Sequence, residues 1–181
     1  MNSSTLYLFP TSAEAEGFAV RCPDVRGAVV GVGMAESAAE AAQLLAEYRP
    51  ARVVLAGVAG ACDEQLQVGE VVEVEYDSVA GLPAAYAKEY GCGRVTSLRG
   101  VRALCVNRTG DSLRYGLPEG VVPVVEQMEG AAVAAVCQKF GVEFSHIRAI
   151  SNRVSDERSA WRVGEALEAL WQVLGEIAHK K

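Results

Sequence analysis

Side chains that could do chemistry concentrate in two short segments of this 181-residue chain. The first segment is Gln127-Met128-Glu129-Gly130-Ala131-Ala132, and the second is Ile147-Arg148-Ala149-Ile150-Ser151-Asn152. The sequence between them predicts a helix over 130–140, so the unit is strand–helix–strand. Ligands of open parallel sheets bind at the carboxyl ends of the strands. We therefore expect a carboxylate and several polar groups to face one crevice, at a spacing that suits a sugar and a base held side by side.

Glu129 is the residue of the first segment that could bind a sugar. It begins a predicted helix whose first turn consists of small residues, so its carboxylate lies near the positive end of the helix dipole. A carboxylate offers two strong acceptors, which suit the vicinal hydroxyl groups of a ribose. Met128 beside it offers a soft apolar surface to a sugar face. The alternative is that Glu129 is an ordinary first-turn glutamate and that Met128 belongs to the core.

Arg148 lies in a strand of otherwise apolar character, His146-Ile147-Arg148-Ala149-Ile150. An arginine that points inward from such a strand must pair with an acid, or hold a ligand or a water molecule. A structural ion pair and a ligand-binding role therefore both remain open. His146 projects to the same side as Arg148. We interpret it as a hydrogen-bonded histidine of the sheet rather than as a catalytic group.

Ser151 and Asn152 end the same strand. A carboxamide carries both a donor and an acceptor. The edge of a 6-oxopurine offers O6 as an acceptor and, once protonated, N7–H as a donor, so one carboxamide can meet both. An aspartate at position 152 would instead suit a 6-aminopurine, as a proton donor to N7. The alternative is a turn asparagine, which is a common role after a strand.

Two further segments could reach the same crevice. Thr11-Ser12-Ala13-Glu14 follows the first predicted strand and is typical of a helix N-cap with an acidic first turn, yet Glu14 or Glu16 could equally face the crevice. Gly57-Val58-Ala59-Gly60 predicts a glycine-rich turn whose backbone could closely approach a ligand. It lacks the lysine and hydroxyl residue of a phosphate loop, and Gly31-Val32-Gly33 is not a complete dinucleotide fingerprint.

Hydrophobic patterning predicts the elements that position these residues. Strands are predicted at 5–9, 27–33, 52–57, 70–76, 121–125 and 144–150, with one or two more within 94–107. The acid–valine alternation over 70–76 indicates a half-exposed strand. Helices are predicted at 36–48, 130–140 and 161–178, and a loop with a short helix at 81–93. Strands that alternate with helices imply an α/β sheet covered on both faces.

Composition narrows the class of protein. Half of the chain is apolar and its length suits one domain over residues 1–181. A net charge of −6 argues against a nucleic-acid or anionic-membrane surface, and the one basic run is Lys180-Lys181. Apolar stretches are broken by glycine or charge, so we expect no membrane span. The N-terminal sequence MNSSTLYLFP does not resemble a signal peptide.

The cysteines indicate a reducing compartment. They are scattered, form no CxxC pair and are accompanied by only two histidines. Such a set favours reduced thiols over a disulfide framework or a zinc site. We therefore expect a cytoplasmic protein in which all five thiols are free, namely those of Cys22, Cys62, Cys92, Cys105 and Cys137.

Four blocks of this sequence resemble the purine nucleoside phosphorylase and nucleosidase superfamily. They are LAGVAG, LQVGEVV, VEQMEGAAVAAVCQKFGV and FSHIRAISN, and their order and spacing match from Val53 onward, more loosely from Leu6. The final part of the match is similar to the futalosine hydrolase branch. That similarity rests on Asn152, where methylthioadenosine/S-adenosylhomocysteine nucleosidases typically carry aspartate, on RVSDERSAWRVGEAL, on Glu126 three residues before Glu129, and on the early TSAEAE segment.

The resemblance implies a three-layer α-β-α sandwich with a mixed, mostly parallel central sheet, in one nucleoside phosphorylase/hydrolase-like domain. It implies hydrolysis of the N-glycosidic bond of futalosine to hypoxanthine and dehypoxanthinyl futalosine, on a route to menaquinone. No metal or organic cofactor is expected, and a homodimer or higher homo-oligomer is expected. The implied catalytic residues are Glu14, Glu129 and Asn152. The implied substrate-binding residues are Met128, Arg148, Ser151, Val58, Ala59 and Gly60.

Other functions stay open at this point. A methylthioadenosine/S-adenosylhomocysteine nucleosidase is disfavoured mainly by Asn152. A purine nucleoside phosphorylase would need groups that hold phosphate, where the apolar Val58 and the acidic Glu14 are found. A nucleoside-binding protein without activity is the third alternative. The chain also departs from the family in being short between residues 76 and 121, and in carrying Gln127 where many relatives carry glutamate.

Overall fold

The computed structural model describes residues 4–118, 120 and 123–179. Strands and helices alternate along much of the chain. The strands are β1 (Thr5–Phe9), β2 (Gly27–Val29), β3 (Arg52–Ala61), β4 (Val71–Val79), β5 (Glu89–Gly91), β6 (Arg99–Cys105), β7 (Val124–Gln127) and β8 (Glu143–Arg153). The helices are α1 (Ser12–Arg21), α2 (Met34–Tyr48), α3 (Asp111–Tyr115), α4 (Gly130–Phe140) and α5 (Val163–His179), with a 3-10 turn at Arg158–Ala160.

All of these strands belong to one mixed sheet in which parallel pairs predominate. The parallel pairs are β2–β1, β1–β3, β3–β8, β4–β6 and β6–β7. Antiparallel pairs join β3 to β7, β4 to β5 and β4 to β8. The pairings through β3, β8, β4, β6 and β7 close part of the sheet on itself, and small apolar residues fill the enclosed space.

Helices cover both faces of the sheet. Helices α2 and α4 bury Leu44, Leu45 and Val133 against one face. Helices α1 and α5 bury Phe18 and Leu170 against the other. The predicted three-layer α-β-α sandwich with a mixed, mostly parallel central sheet is therefore confirmed.

Several predicted elements are confirmed closely. β1 and α4 have the predicted bounds, while α2 and α5 begin or end within two residues of the predictions. All five cysteines are free, as predicted. Among the described helices, none is long and apolar enough to cross a lipid bilayer.

The predicted turn at Gly57-Val58-Ala59-Gly60 is wrong. Strand β3 continues through these residues to Ala61, paired in parallel with β8. The pairing survives because the register shifts at Ala59/Gly60, an irregularity that bends a strand without ending it. Conversely, the strand predicted over 27–33 stops at Val29.

The prediction of a half-exposed β4 holds for part of the strand, since Glu75 is partly exposed and Tyr76 is 43% exposed, but it is wrong for Glu73. Glu73 and Asp77 are fully buried, although they alternate with valines and other residues along the strand. Glu73 is covered by the segment that holds Val95 and Thr96, and Asp77 lies against the first residue of α4, Gly130.

Smaller differences concern the middle and the end of the chain. The region 94–107 holds one strand, β6, and 81–93 contains β5 instead of a short helix. Helix α3 was not predicted. In the strand predicted at 121–125, residues 121 and 122 lie outside the described residues, and β7 extends to Gln127. Lys180 and Lys181 also lie outside the described residues.

Candidate functional site

A cavity of about 650 Å³ opens at the carboxyl ends of β1, β3, β7 and β8. This is where ligands bind in α/β sheets. Every residue that the sequence placed in the site lines this cavity: Glu14, Val58, Ala59, Gly60, Met128, Glu129, Arg148, Ser151 and Asn152. The structure thus brings together residues spread over more than three quarters of the chain.

Glu14 is fixed by both a helix cap and a strand. Thr11 is the N-cap of α1: its hydroxyl accepts a bond from the Glu14 N–H (3.2 Å) and donates one to Glu14 Oε2 (2.7 Å). Val58 N–H donates to Glu14 Oε1 at 2.9 Å. Burial raises the pKa of Glu14, while the charge of Arg148 and these hydrogen bonds oppose that rise. Glu16 is exposed, so Glu14 is the glutamate of this segment that faces the cavity.

Arg148 joins the two carboxylate regions of the cavity. It is almost completely buried, and its Nη2 donates to Glu129 Oε2 at 3.0 Å. Its Nη1 donates to the carbonyl of Val58 at 3.0 Å, next to the N–H that binds Glu14. The ion pair that the sequence left open is therefore present, and it lies in the cavity wall.

Glu129 is the N-cap residue of α4 rather than a residue of its first turn. Its Oε1 accepts a hydrogen bond from Gly33 N–H at 3.1 Å, and its Oε2 binds Arg148. The residue is buried, with 3% of its surface exposed. The carboxylate therefore has a fixed direction at the edge of the cavity, beside the half-buried Met128.

Asn152 presents an oriented amide to the cavity. Ser151 Oγ donates to Asn152 Oδ1 at 2.7 Å, and Asn152 Nδ2 donates to the carbonyl of Arg153 at 2.8 Å. Each amide atom keeps capacity for one more hydrogen bond, since the oxygen has two lone pairs and the nitrogen two protons. Both residues lie within β8, so the alternative of a turn asparagine does not hold.

Gly57 allows the side chains of Arg148 and Glu14 to approach β3 closely. A Cβ at this position would lie 2.6 Å from Arg148 Nη1 and 2.6 Å from Glu14 Oε1. Those distances are far below a van der Waals contact. The glycine therefore serves a close approach of side chains to β3, which is a role different from the turn that the sequence suggested.

Sequence reasoning missed a polar cluster beside the cavity. Gln127 Nε2 donates to both oxygens of Asp77, at 3.2 and 3.0 Å. Asp77 Oδ2 lies 3.3 Å from His146 Nδ1, and Arg148 Nε donates to His146 Nε2 at 2.7 Å. His146 and Arg148 are on one side, as predicted, but His146 Nδ1 has no hydrogen-bond partner of good geometry among the described residues. Asp77 directly follows the acid–valine alternation of 70–76, and nothing local indicated its burial.

The outer wall of the cavity also contains residues that the sequence did not single out. It includes apolar, aromatic and cationic side chains from several loops: Val32, Arg108, Thr109, Arg158 and Trp161. Among the described residues, no group of three or more His, Cys, Asp or Glu side chains is arranged to hold a metal.

A family comparison covers most of the chain. The sequence model of a family described as the phosphorylase superfamily matches residues 18–79 and 106–179. The chain belongs to the phosphorylase superfamily. Both matched segments contain cavity residues, and the unmatched interval contains β5 and β6.

Curated relatives place the chain among the nucleosidases of this superfamily. It is 33% identical over 178 residues to the futalosine hydrolase of Streptomyces coelicolor, covering 82% of this chain and 76% of that protein. It is 33% identical over 156 residues to the 5'-methylthioadenosine/S-adenosylhomocysteine nucleosidase of Bacillus subtilis, covering 70% of this chain and 67% of that protein. The chain is thus an enzyme of the nucleosidase group that includes both activities.

Solved structures agree on the fold. A mutant of Helicobacter pylori MTAN with 5'-methylthioadenosine in the active site superposes with a TM-score of 0.84, covering 98% of both chains at 14% identity. A mutant of the Helicobacter pylori futalosine hydrolase gives a TM-score of 0.84, covering 96% of this chain and 97% of that one at 15% identity. Similarity at these identities establishes the fold alone.

Proposed function

We propose that this enzyme hydrolyses the N-glycosidic bond of futalosine, releasing hypoxanthine and dehypoxanthinyl futalosine for menaquinone synthesis. The observation that carries the proposal is the oriented amide of Asn152 in the cavity wall. Its Oδ1 has a lone pair left to accept N7–H of the departing base, and its Nδ2 has a proton left for O6. An amide in this orientation matches a 6-oxopurine better than a 6-aminopurine.

Glu129 and Arg148 are proposed to act on the ribose. The transition state of N-glycosidic cleavage resembles an oxocarbenium ion, with positive charge growing on the sugar. The buried carboxylate of Glu129 binds the ribose hydroxyls and stabilises that charge in a site where water does not screen it. Arg148 keeps the carboxylate in place through the 3.0 Å ion pair. Met128 contacts the sugar face.

Glu14 is proposed to position and deprotonate the attacking water. A general base works best with a pKa near the working pH, and burial shifts the pKa of Glu14 upward in that direction. Arg148 and Ser151 help to orient Glu14 or the water. The Val58 N–H, which could have bound a phosphate oxygen, donates to Glu14 instead. This arrangement favours water over phosphate as the nucleophile.

A methylthioadenosine/S-adenosylhomocysteine nucleosidase is the second candidate. It is favoured by the Bacillus subtilis relative of that name, which is as similar in percent identity as the futalosine hydrolase. The same roles of Glu14 and Glu129 would serve this reaction. The two candidates differ in the hydrogen bonds that residue 152 must make with N7 and with the 6-substituent of the purine.

Base release from three nucleosides tests these functions. Futalosine, inosine and methylthioadenosine are incubated with the enzyme, each with and without phosphate, and the products are separated by chromatography. We expect hypoxanthine from futalosine at a rate independent of phosphate. Adenine release would favour the second candidate, a sugar phosphate would indicate a phosphorylase, and binding without base release would indicate a nucleoside-binding protein. In the Asn152→Asp variant, the preference should shift toward adenine nucleosides.

We also propose that the chain acts as a homodimer or a higher homo-oligomer. Val32, which lines the cavity, is an apolar side chain that is 51% exposed, and a second copy of the chain would cover it. Light scattering at assay concentrations would give the assembly mass, and a monomeric mass would contradict the proposal.

A further inference from the structure

Asp77 and His146 form a buried polar pair that does not line the cavity. Both residues are 0% exposed. A carboxylate that is removed from water destabilises the folded chain unless hydrogen-bond donors surround it. The side-chain donors that face Asp77 belong to Gln127 and His146, beside the backbone N–H of Ser78, and both of these side chains contact the proposed catalytic groups.

The side-chain amide of Gln127 can take only one of its two orientations in this cluster. Its Oε1 accepts hydrogen bonds from the N–H groups of Glu129 (2.8 Å) and Gly130 (2.6 Å). The reverse orientation would place an NH₂ group against two backbone donors, so Nε2 must point away from the helix. There it meets the two oxygens of Asp77. Asp77 is therefore the acceptor that holds the amide in the orientation that anchors Glu129.

His146 is held in one tautomer by Arg148, with the Asp77 carboxylate close to its other ring nitrogen. Its Nε2 accepts the 2.7 Å bond from Arg148 Nε, so the ring proton resides on Nδ1. Nδ1 faces Asp77 Oδ2 at 3.3 Å. Because Asp77 is an acceptor between two donors, it favours the ring state that receives the Arg148 bond.

The packing of this cluster depends on a glycine. A Cβ at position 130 would lie 2.0 Å from Asp77 Oδ2 and 2.4 Å from His146 Cε1. The carboxylate therefore lies directly against the first residue of α4, one position after Glu129. This contact places Asp77 close enough to control the N-terminus of the helix without touching a ligand in the cavity.

We propose that Asp77 is a positioning residue: it orients Gln127 and His146, and through them fixes Glu129 and Arg148 for glycosidic cleavage. The inference rests on the roles proposed above for Glu129 and Arg148. Gln127 Oε1 holds the Glu129 backbone and also accepts from Arg148 Nη2 at 3.3 Å, while His146 holds Arg148 Nε. Small displacements of such groups have large kinetic effects because catalysis needs aligned atoms.

The test compares four variants with the wild type. Asp77→Asn removes one acceptor and places an NH₂ group near Gln127 Nε2. Gln127→Glu places a second carboxylate against Asp77. The double variant Asp77→Asn with Gln127→Glu exchanges carboxylate and carboxamide, so that donors and acceptors match again. Glu73→Gln is the control, since Glu73 is equally buried on β4 but binds Val95, Thr96 and Arg94, away from the cavity.

Each protein is assayed with the nucleoside that the wild type hydrolyses, and its thermal unfolding is recorded. We expect kcat to fall by about 10- to 100-fold in Asp77→Asn and in Gln127→Glu, with KM changed by less than about threefold. The kcat of the exchange variant should be at least about 10-fold higher than that of Gln127→Glu. Glu73→Gln should keep the wild-type kcat.

Two results would overturn the role of Asp77. One is a folded Asp77→Asn enzyme with wild-type kcat, or one whose loss is matched by Glu73→Gln. The other is an exchange variant that is folded but no more active than Gln127→Glu, and this comparison decides the matter if Asp77→Asn alone does not fold. Substrate identity is settled separately, because the wild-type rates on the three nucleosides test the proposed function and the variant-to-wild-type ratios test the positioning role.

Discussion

Glu14 combines two properties that a general base requires, a fixed direction and an elevated pKa. The Thr11 hydroxyl and the Val58 N–H each bind one carboxylate oxygen, so the side chain does not rotate freely. Burial raises its pKa, and the nearby Arg148 charge limits the rise. The helix cap that the sequence offered as the alternative role is thus part of the same arrangement, because the cap residue orients Glu14.

Replacement of Glu14 by glutamine should abolish most of the activity. The amide cannot take a proton from water, and loss of a general base typically lowers kcat by about 10²- to 10⁴-fold. In the wild type, kcat should fall as the pH decreases through the raised pKa of Glu14, since the protonated acid is not a base. The measurement is a pH profile of kcat for the wild type and Glu14→Gln.

The exposed Glu16 supplies the matched control for that experiment. Glu16→Gln should retain the wild-type profile, because the side chain lies outside the cavity. A Glu14→Gln enzyme with full activity would remove Glu14 from the mechanism.

At the residue scale, the sequence predicted which side chains meet but not what supports them. Glu129, Arg148 and Asn152 were predictable because they sit in short motifs at strand ends. Asp77 was not predictable, because its proposed role depends on burial against the first residue of α4 and on a partner, Gln127, that is fifty positions away. Local sequence patterns do not indicate contacts between residues that lie so far apart in the chain.

At the element scale, β3 is the strand that connects the two halves of the site. It binds Glu14 through the Val58 N–H and Arg148 through the Val58 carbonyl, while the carbonyl of Ala59 lies 3.3 Å from Ser151 Oγ. The sequence predicted the start of β3 but ended it at the glycines, which often mark turns. Continued pairing with β8 overrides this local preference.

The variant Gly57→Ala tests whether the close approach of Arg148 and Glu14 to β3 is needed for activity. The added methyl group overlaps Arg148 Nη1 and Glu14 Oε1, which are held by other contacts, so both must shift. We expect kcat to fall by about 10-fold or more, because misplacement by about 1 Å costs that much or more in alignment. Steady-state kinetics and a circular dichroism spectrum measure activity and fold in the same sample.

Gly175→Ala is the companion variant at the element scale. Gly175 lies in α5, and a Cβ there would meet no atom within 4 Å. Alanine should therefore preserve kcat and increase stability by about 0.5–1 kcal/mol, as expected in a helix interior. Equal activity of Gly57→Ala and the wild type would show that the close approach at β3 is dispensable.

At the scale of the whole molecule, the closed part of the sheet and its helices remove a polar network from water. That burial shifts the pKa values of Asp77 and His146 in opposite directions. Burial raises the pKa of Asp77 to about 7, although the charge of Arg148 opposes the shift. Burial, together with the Arg148 charge, holds the pKa of His146 well below its ordinary value. Folding stability is therefore linked to pH through both groups.

The Asp77 contribution has a definite sign. Between the ordinary value of 3.8 and about 7, the folded chain keeps a proton that the unfolded chain releases. Stability from this group is therefore present at low pH and lost as the pH rises toward 7. His146 acts oppositely, since the unfolded chain gains a proton below about pH 6.5 that the folded chain does not accept.

Comparison of the wild type with Asp77→Asn isolates the first effect, because asparagine does not titrate and His146 is present in both proteins. The free energy of unfolding of the variant, minus that of the wild type, should rise from about pH 4 to about pH 7 by on the order of a few kcal/mol. Denaturant unfolding at successive pH values measures this difference. Two parallel stability curves would mean that Asp77 has the same proton affinity in the folded and unfolded chains, and that burial at the centre of the fold does not perturb it.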